Sequence, residues 1–405
     1  MAQLALRALR GWARTPHATR IAVIYLGARV VTTVFLLIAA SQSTSLSRFG
    51  AQPGLGAFVL GWDAQWYWSV AVYGYPTTLP LTDGGEVAEN TWAFMPLYAY
   101  ASEILGALFG SWASGALIIS LVSGYLACLV LHRLLRRRLG CSAATWAVIL
   151  FASSPLAAMF QVAYAESLFL MLLFLALETV ATRRYAWLYA LIPLLAFTRP
   201  GVLAFALFLG LHGIVRLVRR REEPLLTSHV VHIIAAGALA TLCGFSWQAI
   251  AAMATGDPGA YLATELAWRR HWVAGGVDAF VPFEGWVQAA QFWFAQWGMP
   301  ADWGVAALVL LVVGAAAVLV RAKPVRALGA DIRLWSASYL LYLLAVFFPQ
   351  SSTFRLLLPL SPLWGAFAVP RSRWWRLGVL GACLVGQAVW IHAVYALGNT
   401  FWQVP

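Results

Sequence analysis

Charge is what this chain has least of. Of its 405 residues only 10% are Asp, Glu, Lys or Arg and 62% are hydrophobic, where an ordinary soluble domain carries about 25% charged residues. Too few polar side chains remain to cover a water-facing globule of this size, so a soluble fold is excluded; the mean hydropathy of +0.76 agrees. Acid is scarcer than base, 15 carboxylates against 27 basic residues, for a net charge of +12. Lysine is reduced to Lys323 alone. Cysteine is scarce as well. Cys128, Cys141, Cys243 and Cys383 all fall in apolar stretches or at their basic ends, which excludes an external disulfide framework, and their spacing matches no zinc motif. There is no phosphate-binding loop, no GxGxxG and no GxSxG, so ATP-driven transport and serine hydrolysis lack their usual signatures.

Long apolar runs fill the chain instead. They begin near Ile21, Trp112, Ala143, Ser167, Tyr185, Val202, Val230, Trp303, Leu334, Arg355 and Leu377, and a hydrocarbon span needs roughly 20 residues. The expected fold is an all-α polytopic membrane protein, about eleven transmembrane helices forming one integral membrane domain over residues 1–405. The first run contains Arg29 and is long for a cleaved signal, so it is expected to stay as an anchor, with Arg29 in a buried structural pair.

The basic residues mark the sidedness. Arg7/Arg10/Arg14/Arg20, Arg133/Arg136/Arg137/Arg138, Arg183/Arg184, Arg216/Arg219/Arg220/Arg221, Arg321/Lys323/Arg326/Arg333 and Arg371/Arg373/Arg376 make up 21 of the 27. A cytoplasmic N-terminus puts all of them on the cytoplasmic side of an eleven-span chain, as the positive-inside bias requires. Basic residues confined to helix ends do not describe a nucleic-acid partner. Counting Trp92–Phe109 as a span would translocate Arg136–Arg138, so that stretch is expected to be an external helix on the membrane surface. Two long external loops result, about 41–111 and about 255–302, both rich in tryptophan and tyrosine, which favour the headgroup zone. The expected location is the cell membrane.

Carboxylates gather outside. Asp63, Asp83, Glu86, Glu89, Glu103, Glu166, Asp257, Glu265, Asp278, Glu284 and Asp302 fall in or beside external segments. An external site that works with acids explains this; so does the greater polarity of long loops.

Six cations escape the cytoplasmic set: Arg29, Arg48, Arg199, Arg269, Arg270 and Arg355. Charge within or beside a span is costly and faces the protein interior or a cavity. Arg199 and Arg355 sit at outer turns, and guanidinium forks match phosphate geometry. With Arg269 and Arg270 of the second loop they are candidates for an external phosphate site, against snorkelling or pairing with Glu166. In Gly61-Trp62-Asp63, the carboxylate opens a helix expected over 63–73, where an aspartate is most simply an N-cap, and Trp66, Tyr67, Val70 and Ala71 follow at amphipathic spacing. His229-Val-Val-His232 is a weak metal lookalike.

The stretch from Leu60 to Pro76 resembles the first external loop of the GPI mannosyltransferase II (PIG-V-like) family, members of the GT-C superfamily, in which a Trp-Asp pair precedes an aromatic helix ending in Gly-Tyr. Phe94-Met95-Pro96-Leu97-Tyr98 is similar to the family's Phe-Phe-Pro-Leu-Tyr, Tyr164-Ala165-Glu166-Ser167-Leu168-Phe169 to its Tyr-Ser/Thr-Glu-x-Leu-Phe, and Thr198-Arg199-Pro200-Gly201 to its Thr-Arg-Ser/Pro-Asn/Gly turn. Gln65 and Trp66 stand where a histidine is often found, and Gly201 replaces Asn. The resemblance runs from about residue 60 to 360 and implies a GT-C-like fold.

It also implies an activity: transfer of mannose from a polyprenyl-phosphate-mannose donor to a glycolipid hydroxyl on the external face, with inversion. Asp63 corresponds to the family's loop aspartate, the general base. Arg199, Arg355, Arg269 and Arg270 would hold the donor phosphate, so that no metal or other cofactor is required. Glu166, Trp62, Tyr164 and His271 would bind sugar or acceptor, Glu166 alternatively pairing with Arg199. A transferase acting on protein or carrying another sugar fits the same residues. A secondary transporter or lipid flippase is the rival of another class, disfavoured by the long external loops and the absence of visible repeats.

Overall fold

The computed structural model describes residues 15–270, 279–350 and 352–398, and among these every regular element is helical apart from one isolated bridge between Leu81 and Val87. Among the described residues five helices are long and apolar enough to cross a membrane: His17–Gln42, Trp112–Ala152, Thr227–Thr255, Ala301–Arg321 and Arg373–Ala396. The Ala301–Arg321 helix buries only Gly304, while Leu310, Leu311 and Val313 are 72%, 60% and 60% exposed. A helix that is apolar all round with so little protein cover is stable in lipid and not in water. This is a membrane protein.

About eleven spans were expected and five helices qualify by length, because the other apolar runs are short, merged or interrupted. The runs starting at Trp112 and Ala143 form one element of 41 residues that kinks at Gly140, where φ is 77° and ψ is 173°. A straight helix of that length would reach roughly 62 Å, twice the thickness of the hydrocarbon core, and the positive φ at glycine turns the chain instead. The run starting at Arg355 breaks into Thr353–Leu356, a 3₁₀ stretch Leu358–Leu363 and Trp364–Ala368. Pro359 and Pro362 lack the N–H that a continuous helix needs there. Glu166–Ala181, Val202–Val218 and Ala330–Val346 have 16 or 17 residues each.

Pro96–Phe109 is a helix of 14 residues, about 21 Å long and too short to cross. It lies tightly against the start of the Trp112–Ala152 helix. A Cβ added at Gly115 would sit 2.2 Å from the Ser102 carbonyl oxygen, and one at Gly106 would sit 2.6 Å from that of Ser111. Small residues let the two backbones touch, and the phenol of Tyr98 seals the contact on the Ala116 carbonyl and the Ser120 hydroxyl at 3.0 and 2.8 Å. Ile104 and Leu108 on the same helix remain 74% and 78% exposed, an apolar face turned away from the protein.

Buried charge is met by specific partners. Arg29 has no carboxylate partner among the described residues; it donates to the carbonyls of Ala152, at 2.6 Å, and Ala157, and its guanidinium lies 5.1 Å from the Tyr25 ring. Ala152 closes its helix, so the cation is received by the negative end of a helix dipole. The expected pair partner of Arg29 is thus backbone. At the basic ends of the helices, Glu178 pairs with Arg133 at 2.9 Å, Asp331 with His212 at 2.8 Å and Glu223 with Arg183 at 3.1 Å.

Candidate active site

Gly61-Trp62-Asp63 enters its helix through a strained residue. Trp62 has φ 56° and ψ −125°, a region costly for a non-glycine side chain, of order 1–3 kcal/mol, and it is held there by burial. The helix Asp63–Tyr73 forms as the amphipathic spacing predicts, burying Ala64, Tyr67 and Val70. Asp63 does not cap it: the cap position is Trp62, without a side-chain hydrogen bond. The carboxylate turns instead to Arg355, whose Nη1 donates to Oδ2.

That pair belongs to a chain of alternating charge. The Nε of Arg355 lies 3.4 Å from Oε1 of Glu166, and the same oxygen forms an ion pair with Nη1 of Arg199 at 2.7 Å. Glu166 is the first residue of its helix, where the dipole favours a carboxylate. All four side chains are largely shielded from solvent, from 2% exposure at Glu166 to 15% at Asp63. Beneath them, Tyr164 accepts the backbone N–H of Asp63 at 3.1 Å and presents its ring to the Arg355 guanidinium at 5.4 Å. Burial would favour a neutral Arg355, yet the Asp63 and Glu166 carboxylates hold the guanidinium above its ordinary value. Burial, reinforced by Asp63, pushes the Tyr164 phenol well up, so it stays a hydroxyl.

The four motif stretches come into mutual contact. Ala163 donates to the Val59 carbonyl at 3.0 Å, and Leu97 to the Phe197 carbonyl at 2.9 Å. Trp66, on the Asp63 helix, stacks on Phe94 at 5.7 Å and 8° between planes, and the edge of Trp268 from the second long loop closes the group at 5.5 Å. Trp62 Nε1 and Trp268 Nε1 are buried donors without a partner.

The remaining candidates have other surroundings. Arg269 donates to the Val346 carbonyl and lies 5.7 Å from the Phe280 ring; burial outweighs Glu265 and Glu284 and lowers its pKa. Arg270 pairs with Glu86 at 2.9 Å and donates to the Val87 carbonyl at 3.0 Å. Neither forms an ion pair with Asp63 or Glu166. His271 lies outside the described residues. Glu166 pairs with Arg199. Tyr164 is fully buried, which suits a support under Asp63 and Arg355 rather than a sugar platform.

No protein-family model matches the sequence, and no curated protein matches it. Among solved structures the likeness is to an oligosaccharyltransferase. The Archaeoglobus fulgidus oligosaccharyltransferase in complex with zinc and sulfate is 15% identical, with a TM-score of 0.38, over 92% of this chain and 53% of its own. The same archaeal protein in complex with an inhibitory peptide and a dolichol-phosphate is 13% identical, with a TM-score of 0.36, over 92% and 56%. The chain thus spans about half the length of the oligosaccharyltransferase it is similar to. A likeness this distant fixes neither family nor activity, and both rest on the residues.

Next to the charged chain runs an apolar groove of about 840 Å³. It lies between the broken 353–368 segment and the C-terminal helix Arg373–Ile391, lined by Trp293, Phe354, Leu357, Leu360, Trp364 and Trp390 among others. Thr353 and Phe354 line it while Arg355, the next residue, turns inward to Asp63; Val394 lines it while Tyr395, the next, is fully buried. The groove and the ion pair are therefore neighbours through consecutive residues on two strands of chain. Sequence reasoning missed this groove, since it needs four separated segments, and it missed Trp66, Phe94 and Trp268 as one group.

Metal-binding side chains gather elsewhere. One ligand atom each from His17, His132 and Cys141 lie within 4.8 Å of one another. The Gly140 kink brings Cys141 back beside His132, which no local spacing announces. His132 is about 18 Å along its helix from Ser120, the residue that binds the Tyr164 carbonyl. Arg20 already donates toward His17 at 3.3 Å. In the charged chain itself, both carboxylates are engaged by guanidinium groups, which compete with any divalent cation. His232 bonds to Tyr189 at 2.9 Å and His229 packs on Tyr185, each in a helix-packing contact.

Proposed function

We propose that the protein is an inverting GT-C glycosyltransferase of the PIG-V-like type, moving mannose from a polyprenyl-phosphate-mannose donor to a glycolipid hydroxyl on the external face of the cell membrane. One observation carries this reading: a carboxylate on a strained helix start, paired to a buried arginine that stands beside a lipid-sized apolar groove. A soluble nucleotide-sugar enzyme has no use for such a groove. A polyprenyl chain does.

In this reading the chain of the donor lies in the groove and its phosphate reaches the arginines. Arg355 occupies Oδ2 of Asp63, leaving Oδ1 for the acceptor hydroxyl. As the acceptor oxygen bonds to the anomeric carbon, its proton passes to Asp63 and the carbon–oxygen bond to phosphate breaks, releasing polyprenyl phosphate. General-base help of this kind is worth about 10²–10⁴ in rate. Attack opposite the leaving group turns a β-linked donor into an α-mannoside. Arginines opposing the charge that develops on the leaving phosphate act as preorganised electrostatic stabilisers, and no metal is required. Glu166 and Arg199 are positioning residues that hold Arg355 in place. Trp62 Nε1, a buried donor beside Asp63 without a partner, is suited to a sugar or acceptor hydroxyl.

The topology belongs to the same reading: about eleven spans, counting the short and broken helices, the N-terminus cytoplasmic, and the site outside. Purified protein in detergent, given polyprenyl-phosphate-mannose and lipid acceptors, should form product without any gradient. Failure with every polyprenyl-linked sugar, together with lipid counterflow in vesicles, would replace the enzyme by a carrier.

A further inference from the structure

The charged chain has a property that bears on phosphate binding. Asp63 and Glu166 carry two negative charges, and Arg355 and Arg199 carry two positive ones, all joined by the pairs described above. The sum is zero. A phosphate approaching this network meets guanidinium groups whose charge is already balanced by carboxylates, although N–H donors such as Arg355 Nε remain without a hydrogen-bond partner, in a partly desolvated place where an uncompensated anion is costly. An additional cation is needed.

Arg48 stands where such a cation would be useful. It is exposed, and its guanidinium lies 4.5 Å from the centre of the Trp62 ring, immediately before Asp63 in the chain. Its Nη2 donates to Oε1 of Gln65 at 2.9 Å, on the first turn of the Asp63 helix. Both partners are neutral. Among the described residues no carboxylate lies within 4.0 Å of Arg48, in contrast to Arg199, Arg270 and Arg355. The segment that carries it also packs on Tyr395, next to the groove. Phe49 stacks on Tyr395 at 5.9 Å and meets Trp62 edge-on at 6.1 Å, and the hydroxyl of Ser47 donates to the Tyr395 carbonyl. Tyr395 follows Val394, which lines the apolar groove. Arg48 therefore stands on Trp62, the residue before the general-base candidate, and precedes Phe49, whose ring packs on the neighbour of groove-lining Val394; a cation–π contact braces it on the indole.

We infer that Arg48 is a phosphate-binding residue of the donor site, taking the headgroup of a polyprenyl phosphate whose chain occupies the groove. This rests on the glycosyltransferase reading above. The measurement that tests it is equilibrium binding of polyprenyl phosphate, and of uncharged polyprenol as a control, to the full chain in detergent, followed by quenching of tryptophan fluorescence. Wild type should bind the phosphate at least tenfold more tightly than the alcohol. Arg48→Gln should lose at least tenfold in affinity for the phosphate, bind the alcohol as wild type does, and keep its melting temperature; Arg48→Lys should recover part of the loss. Arg371→Gln, an exposed cation of the cytoplasmic set, should bind both as wild type does. In turnover, Arg48→Gln should raise the donor KM more than it lowers kcat. A wild type that prefers the phosphate, with an Arg48→Gln variant that binds it equally well, overturns the role of Arg48 and leaves the transferase reading standing. A wild type with no preference for phosphate over alcohol overturns both.

Discussion

Asp63 and Arg355, 292 positions apart in sequence, form a shielded ion pair whose aspartate is the first residue of its helix. The cap position falls on Trp62, and the Asp63 carboxylate is engaged by the arginine instead. A guanidinium donating to an ionised carboxylate is worth more than a bond to a backbone amide, and the backbone N–H of Asp63 is satisfied by Tyr164.

Asp63→Asn keeps the shape of the side chain and removes its basicity. Turnover should fall by roughly 10²–10⁴, the range general-base help supplies, while polyprenyl phosphate binding stays within about threefold. Initial rates and equilibrium binding on the same preparation check this; turnover within a factor of five of wild type removes Asp63 as the base.

Arg355→Ala leaves Asp63 and Glu166 shielded and without their shared cation. Breaking a buried pair from one side costs about 3–5 kcal/mol, so the melting temperature should drop clearly. The double variant Asp63→Asn/Arg355→Gln should be more stable than the sum of its single changes predicts, because each removes the reason for the other's penalty. Additive losses in a double-mutant cycle of thermal unfolding would mean that the pair is not coupled.

Gly115→Leu tests the close approach of the Pro96–Phe109 helix. With the Ser102 carbonyl 2.2 Å from an added Cβ, the helices must separate, at a cost of about 1–3 kcal/mol or more. Gly237→Leu, on a helix position with nothing within 4 Å, should be tolerated. Equal yields of folded protein for the two in detergent would refute the packing.

Glu265 gives a pH dependence. Burial raises its pKa above 4.5, and Arg269 and Tyr261 offset that only in part. The folded protein then holds a proton that the unfolded chain releases, so this contribution to stability is complete below pH 4.5 and is lost as pH rises through the higher folded value. Glu265→Gln should flatten that part of the stability profile and gain relative to wild type toward neutral pH. Thermal unfolding between pH 4 and 7 checks it; parallel profiles would show no contribution from Glu265.

Cys141 reports sidedness without any engineered residue. It is exposed, whereas Cys128 and Cys383 are buried, and the proposed topology places it in the cytoplasm. A membrane-impermeant maleimide should label it in permeabilised cells and leave it unlabelled in intact ones. Labelling in intact cells would invert the orientation and with it the external site.

Much of the candidate site was legible because its parts are odd locally. Asp63 stood out in an aromatic stretch, and Arg199 and Arg355 broke the sidedness of the other cations. Their distances were not legible, nor was the fact that Asp63 does not cap its helix, since an N-cap is read from one turn of chain while the Arg355 pair depends on a segment near the opposite end. Arg269 and Arg270 were candidates on charge alone; Val346 and Glu86, which receive them, come from elsewhere in the chain. The shapes of the helices were hidden in the same way. Hydropathy reports that a run is apolar, not that Gly140 or Pro359 will bend or break it.

By itself, the amino-acid sequence determined that this chain lives in a membrane and which residues would be conspicuous there, because apolar content and the position of charge at helix ends are one-dimensional properties. Only the tertiary structure decided that Asp63, Glu166, Arg199 and Arg355 cancel one another, that Arg48 is left with neutral partners, and that a groove for an apolar chain lies beside them. Charge compensation and cavities arise from segments meeting in space, and the energy of each meeting depends on distance and burial that no order of residues contains.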